Sequence, residues 1–158
     1  MSVVSYFLKI DGIEGESKDV KHKSELQIES WSFGAVAHRD PLGGKAKTSL
    51  SELQFTMRVD KASTKLFLHC SNGQPIATAV LSCNKAGGDN SGEQYLIVTL
   101  TEVYVASIQF LGSSDSDPTG WLQFSLACKT IKVEYKTQTQ KGILSGAVGY
   151  THTVGKGN

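Results

Sequence analysis

The chain has 158 residues, 39% of them hydrophobic, and carries 16 Lys and Arg residues against 15 Asp and Glu residues. This length suits one domain with a single core. The formal net charge of +1 excludes the basic excess by which nucleic-acid-binding proteins attract phosphate, so no nucleic-acid partner is expected.

The N-terminal residues, Met1 to Lys9, lack the basic segment, the long apolar run and the small-residue cleavage site of a secretory signal. No stretch approaches the roughly 18 apolar residues of a membrane-spanning helix. We therefore expect a protein made in the cytoplasm without a membrane anchor. If it leaves the cell, it does so without a signal peptide.

Three cysteines stand far apart in the sequence, at Cys70, Cys83 and Cys128. Because no C-x-x-C pair exists, neither a zinc ribbon nor a thioredoxin-type motif is available. Each cysteine lies in an apolar run, which predicts a small buried hydrophobic side chain.

The first strand is predicted over Val4 to Ile10, because a short apolar run ends there at the turn residues Asp11 and Gly12. The polar residues 15–23 predict a loop.

A long strand is predicted next, from Glu25 to Gly34, with a change of side-chain parity midway. Its apolar residues fall into two pairs: Leu26 and Ile28, then Trp31 and Phe33. Strict alternation would place the pairs on opposite faces. Either a β-bulge near residues 29–30 or a strand packed on both faces explains the pattern.

The segment from His38 to Thr48 predicts an extended loop, because Pro41, Gly43 and Gly44 do not suit a central strand. A secure strand follows from Glu52 to Val59. Its apolar residues alternate with polar ones: Leu53, Phe55, Met57 and Val59.

One helix is predicted from Asp60 to Asn72. The side-chain oxygen of Asp60 or Ser63 can cap its first turn, and Gly73 suits the left-handed residue that ends it. A narrow apolar stripe is formed by Leu66, Phe67 and Cys70.

The remaining strands are predicted at Ile76–Cys83, Tyr95–Leu100, Glu102–Leu111 and Trp121–Tyr135. The last is either a strand pair or one bent strand, with a second bulge near residues 128–130. About eight strands and one helix predict a mainly β protein: a closed or nearly closed antiparallel β-barrel of two sheets with one short flanking α-helix. We predict that the barrel domain occupies residues 1–136. Residues 137–158 would form a C-terminal arm or a late edge strand.

Catalytic and metal-binding motifs are absent from the sequence. The Gly-rich residues 85–88 lack the G-K-[ST] of a phosphate loop, and the histidines at positions 22, 38, 69 and 152 are scattered. We expect no catalytic residue, no metal and no cofactor. A small hydrolase that uses His22 and Glu16 is a weak third reading.

Several blocks in order resemble the Hcp family (haemolysin-coregulated protein). The opening from Phe7 to Asp19, with His22 after it, is similar to the start of that family, and the Trp31-Ser-Phe-Gly34 segment is similar to its W-S-aromatic-G strand. Further blocks follow in the expected order: Phe55-Thr56, Asp60-Lys61, Leu66–Cys70, Gly73, Lys85–Gly88, Glu93–Leu96, Glu102-Val103 and Val133–Tyr135.

This resemblance implies a subunit of the type VI secretion inner tube and no enzymatic activity. Six copies would form a ring, and rings would stack into a hollow tube. The implied partners are a spike protein, a contractile sheath, baseplate components and small effector proteins carried in the lumen. The protein would assemble in the cytoplasm and then be secreted to the extracellular space or a target cell.

Two sites are predicted on this basis. Ser32 would face the lumen, since its neighbours Trp31 and Phe33 pack inward by alternation. The alternative explanation is a small residue chosen for sheet packing. The extended loop would contact the next ring unless it is an ordinary mobile loop. Its candidate residues are His38, Arg39, Asp40, Pro41, Leu42, Gly43, Gly44 and Lys45.

The main competing reading is a monomeric jelly-roll or lectin-like module that binds carbohydrate or peptide. Its stacking platform would be made by Trp31, Tyr104 and Trp121.

Overall fold

Strands dominate the computed structural model, which describes residues 4–44, 47–85, 93–114, 119–138 and 144–153. Within these ranges the elements follow in chain order: β1 Val4–Ile10, β2 Leu26–Ile28, β3 Ser30–Ser32, β4 Ala35–His38, β5 Lys47–Leu50, β6 Leu53–Arg58, α1 Ala62–Asn72, β7 Ile76–Lys85, β8 Glu93–Leu111, β9 Trp121–Gln138 and β10 Leu144–Thr153.

Eight strands form one antiparallel sheet in the order β2-β1-β7-β8-β9-β6-β3, with β10 added to β9. The two ends of this path, β2 and β3, are separated only by Glu29. The backbone N–H of Glu29 donates to the carbonyl oxygen of Thr56 on β6 at 2.8 Å. The sheet therefore returns on itself as a nearly closed barrel, which confirms the predicted fold class.

The break at Glu29 also explains the parity change predicted in this region. β2 pairs with β1, whereas β3 pairs with β6, so the chain changes partner where the parity changes. Leu26 and Ile28 are buried on one side of the break, and Trp31 is half-buried on the other.

The long strands β8 and β9 bend together. On β8 the buried positions change from Val98 and Leu100 to Val103 and Val105. Glu102 lies at this bend, with a φ of 50°. The predicted bulge near residues 128–130 is wrong, because pairing stays in register there and shifts only between Val105 and Ser107.

β9 joins the two halves of the barrel. Its first part, up to Leu126, pairs with β6, and its last part, from Thr130, pairs with β10, while β8 lies along its other edge. The core lies between the halves, where Phe55 of β6 stacks on Phe124 of β9 with ring centroids 5.2 Å apart. Alternation on each strand fills this core with aliphatic and aromatic side chains.

Of the two capping residues predicted for the start of α1, Asp60 binds an N–H of the first turn and Ser63 binds the N–H of Asp60. The Asp60 carboxylate accepts from the N–H of Ala62 at 2.8 Å, and Ser63 Oγ accepts from the N–H of Asp60 at 3.1 Å. At the other end Gly73 has a φ of 66° and donates its N–H to the carbonyl of His69.

The predicted apolar stripe of this helix is partly wrong. Leu66 is fully buried and Cys70 is partly buried, but Phe67 is 52% exposed. The buried side of the helix is completed instead by Ala62 and Ser63.

The three cysteines are free thiols, of which Cys83 is buried and the other two are partly buried. Burial raises the pKa of Cys83 to about 12 and also raises the pKa of Cys128. These two thiols therefore stay protonated near neutral pH and behave as hydrophobic groups.

β10 pairs with the end of β9 from Leu144 to Thr153. The division of the chain into residues 1–136 and 137–158 stays a prediction.

Candidate assembly surface

Ser32 lies in a row of polar side chains that crosses four strands on the outer side of the barrel. It pairs with Gln54 on β6, Gln54 pairs with Ser125 on β9, and Ser125 pairs with Ser107 on β8. Ser32, Gln54 and Ser107 are exposed, whereas Ser125 is buried. Because paired residues point to the same side of a sheet, these four side chains share one face.

A second row of uncharged polar side chains lies beside the first. It consists of Ser30, Thr56, Gln123 and Gln109, paired in that order across β3, β6, β9 and β8. Together the two rows contain eight Ser, Thr and Gln residues and no charge. We call them the polar face.

Hydrogen bonds fix the buried end of the first row. The hydroxyls of Ser107 and Ser125 are hydrogen-bonded to each other, and Ser125 Oγ donates to Glu52 Oε2 at 3.0 Å. Ser125 is thereby satisfied despite its burial, and the carboxylate of Glu52 is held at the margin of the polar face.

Trp31 and Phe33 behave as the alternation around Ser32 predicts. Both are half-buried. Trp31 packs edge-on against Tyr6, with ring centroids 5.9 Å apart, and stacks on Phe33, with ring centroids 5.8 Å apart. Ser32, which points the other way, is exposed. Whether it faces a lumen stays a prediction.

The segment predicted as an extended loop lies at the end of a two-stranded ribbon formed by β4 and β5. β4 and β5 pair in a sheet of their own, with His38 opposite Lys47. His38, Lys47 and Thr48 therefore belong to strands, which corrects the predicted bounds of the loop. The chain joins the ribbon directly to β3 and β6, the strands that carry Ser32 and Gln54.

At its base, the N–H of Gly34 donates to Ser51 Oγ and the N–H of Ser51 donates to the carbonyl of Gly34, both at 2.8 Å.

A defined turn forms the described part of the ribbon tip. Asp40 accepts from the N–H of Leu42 through Oδ1 at 2.9 Å and from the N–H of Gly43 through its carbonyl at 3.1 Å. Gly43 has a φ of 95°, which favours glycine. Leu42 is thereby displayed with 93% of its surface exposed. Arg39, Pro41 and Gly44 are also exposed, while Lys45 lies outside the described residues.

A buried polar cluster that the sequence did not predict fixes the first loop. His22, predicted to be in a polar loop, is only 5% exposed and stacks on Phe7 with ring centroids 4.4 Å apart. Its Nδ1 lies 3.0 Å from the Glu25 carboxylate, and its Nε2 lies 2.8 Å from the Asn84 side-chain nitrogen. An imidazole protonated at Nδ1 satisfies both contacts, since Asn84 then donates to Nε2.

Gly15 lets this loop lie close to the barrel. A Cβ on Gly15 would be 2.6 Å from the carbonyl oxygen of Glu25, and the N–H of Gly15 donates to the carbonyl of Ser24 at 2.9 Å. The family-like block from Phe7 to His22 was the one signal that could have identified this arrangement.

The end of β6 next to the helix carries a cleft of about 340 Å³ whose lining includes Glu16, Glu29 and Asp60. Burial raises the pKa of Asp60 above its usual value, and the charge of Glu16 adds to this shift, while the hydrogen bond from Ala62 opposes it. Arg58 contacts Glu29 at 3.7 Å and lies over the Trp121 ring at 5.2 Å.

The groupings required by the alternative readings do not form among the described residues. Trp31 and Trp121 point to opposite sides of their shared sheet, because their partners Phe55 and Arg58 are three residues apart on β6. His22 contacts Glu25 and Asn84, and the part of the chain that is described holds no group of three His, Cys, Asp or Glu side chains placed to bind a metal ion.

No helix within the described ranges is long and apolar enough to cross a membrane.

Comparison with known proteins identifies the family. Residues 7–141 match the family model described as type VI secretion system effector, Hcp. The chain is 36% identical over 147 residues to the protein hcp1 of Pseudomonas aeruginosa, with 90% of each sequence covered.

Solved structures agree with this match. Hcp1 from Salmonella typhimurium is 32% identical, with a TM-score of 0.80 and coverage of 96% of this chain and 95% of that one. A type VI secretion system effector from Yersinia pestis is 28% identical, with a TM-score of 0.76 and coverage of 94% and 99%. The chain therefore belongs to the Hcp family of type VI secretion proteins.

Proposed function

We propose that this chain is a structural subunit of the type VI secretion inner tube. Six copies form a ring, rings stack into a hollow tube, and the polar face with Ser32 lines the lumen. The contractile sheath and baseplate act on this tube, the spike protein caps it, and small effector proteins travel inside it. The protein is secreted with the tube, and its role needs neither catalysis nor a cofactor.

The observation that carries this proposal is the polar face. A channel that holds different proteins and later releases them needs a wettable wall without strong charge, since fixed charges would select cargo by sign and hold it too tightly. The two rows of Ser, Thr and Gln across β3, β6, β9 and β8 have this property. They lie on strands, which makes the wall regular and rigid.

The edges of the same four strands support a ring. In the described residues β3 pairs only with β6, and β8 from Tyr104 onward pairs only with β9. Among the described residues the polar face is thus bordered by two different strand edges without a paired strand, and helix α1 packs near the edge of β8. Unpaired edges favour association with another chain, and two different edges suit the head-to-tail contact from which a closed ring is built.

Mass measurement in solution together with electron microscopy tests the proposal. We expect particles of about six times the 17.0 kDa monomer mass, seen as rings with a central hole. A protein that stays monomeric at every concentration measured and shows no annular particles contradicts it.

A further inference from the structure

The ribbon and the helix lie at opposite ends of one strand. The ribbon enters β6 at Leu53, and the chain leaves β6 at Arg58 to begin the helix. Copies stacked along the direction of this strand therefore bring the ribbon of one copy toward the helix of the next.

The helix end of the sheet carries exposed apolar side chains. Phe67 and Phe110 contact each other with ring centroids 6.1 Å apart, although they are 52% and 46% exposed, and Leu68 is 55% exposed. Phe110 is at this end because it pairs with Leu122, which in turn pairs with Met57 near the end of β6. We call Phe67, Leu68 and Phe110 the helix-end patch.

The opposite end presents a highly exposed apolar side chain. The tip turn, held by Asp40, displays Leu42 with 93% of its surface exposed. Because the turn is already ordered, little conformational entropy is lost when Leu42 is buried in a contact. Exposed apolar groups at both ends of one subunit favour a contact between copies.

Charge complements this apolar match. The ribbon presents the cations Arg39 and Lys47, and the carboxylate of Asp40 already accepts a hydrogen bond from its own turn. The cleft at the helix end of β6 is lined by the carboxylates of Glu16, Glu29 and Asp60 and by the cation Arg58. Within this cleft the carboxylates outnumber the cation, so the cleft attracts the cations of a ribbon that approaches it from the next copy.

We propose that Leu42 at the ribbon tip of one copy docks on the helix-end patch of a second copy in the next ring. This inference rests on the proposed stacking of rings and names the surface that receives the ribbon. Since the two surfaces are different and lie at opposite ends, the contact repeats along the tube without closing on itself.

Cross-linking of the full chain tests the contact. Leu42→Cys and Phe67→Cys are combined on a Cys70→Ser background, because Cys70 is partly exposed on the same helix. With a short bis-maleimide, the double variant should give a ladder of covalent multimers, with about tenfold more linked chains than either single variant. The matched control joins Leu42→Cys with Lys132→Cys, an exposed position on β9 outside the patch.

Two results would overturn the contact. One is a ladder no stronger than that of the control, and the other is pairwise linking of the Phe67→Cys variant alone, which would mean that two patches meet. Particle mass is measured on the same samples before cross-linking. Failure to reach ring mass contradicts the proposed function, whereas rings without the specific ladder contradict only this docking contact.

Discussion

His22 stacks on Phe7 with their ring planes only 8° apart, and this pair fastens the first loop to the barrel. We expect His22→Ala to lower the free energy of unfolding by about 2 kcal/mol, because Asn84 and Glu25 lose a hydrogen-bond partner in a place that water barely reaches. The thermal midpoint should fall by about 4–8 °C at fixed protein concentration. Lys23→Ala, at an exposed position in the same loop, is the control and should leave the midpoint nearly unchanged.

Gly15→Ala should also destabilise the protein, for a steric reason. The added Cβ would lie 2.6 Å from the carbonyl oxygen of Glu25, so the loop must move away from the backbone of β2. We expect a loss of about 1–3 kcal/mol in chemical denaturation. Gly34→Ala is the matched control, since no atom lies within 4 Å of its added Cβ. Equal effects of the two substitutions would contradict the close approach at Gly15.

Ser32→Tyr should reduce the retention of effector proteins while the particle mass stays that of the ring. The reason is that a large side chain on the polar face would narrow and alter the proposed lumen. The measurement is the amount of effector that co-purifies with the ring. Thr151→Tyr, at an exposed position on β10, should retain effector normally. Normal retention by Ser32→Tyr would count against a lumen-facing Ser32.

Shortening the ribbon should separate ring formation from stacking. Because His38 faces Lys47 across the ribbon, residues 39–46 can be replaced by Asn-Gly, which favours a two-residue hairpin turn. We expect rings of unchanged mass but no tubes by electron microscopy. Tubes that persist in this variant would show that the ribbon does not connect the rings.

The thiols should differ in reactivity in the folded protein. A pH of 8 is well below the Cys83 pKa of about 12, so the thiol stays protonated. Because the thiol is also buried, it should react slowly with iodoacetamide. Cys70 is partly exposed and should be modified first, as mass spectrometry of peptides can show. Modification of Cys83 as fast as that of Cys70 would mean that the β1–β7 region opens readily.

The local sequence pattern was sufficient to predict those elements whose structure depends only on residues close together in the chain. The alternation of Leu53, Phe55 and Met57 predicted β6, and all three are buried. The caps of α1 at Asp60 and Gly73 were likewise predicted, because capping depends on residues a few positions apart.

Features that depend on distant residues could not be predicted in this way. The burial of His22 requires Asn84, 62 positions later, and nothing in the charged segment around His22 indicates that contact. Phe67 was expected to be buried because it lies next to Leu66 in the apolar stripe of the helix. The barrel instead covers the side of the helix that carries Ala62, Ser63 and Leu66.

The candidate site was predictable only in part. The alternation around Trp31 predicted that Ser32 points away from the core, but the polar face also needs the register of four strands, which the sequence does not provide. The ribbon was missed as a strand pair because nearly all of its side chains are exposed and show no hydrophobic alternation.

The single residue between β2 and β3 has a consequence for folding kinetics. β2 and β3 are adjacent in sequence but lie at opposite ends of the strand order. The barrel can therefore close at Glu29 only after both β1 and β6 have joined the sheet. Pairings between distant segments raise the contact order and slow folding. Closure of the barrel at Glu29 is therefore expected to be a late folding step. Until then, a partly folded subunit would expose unpaired strand edges that can associate incorrectly with other chains.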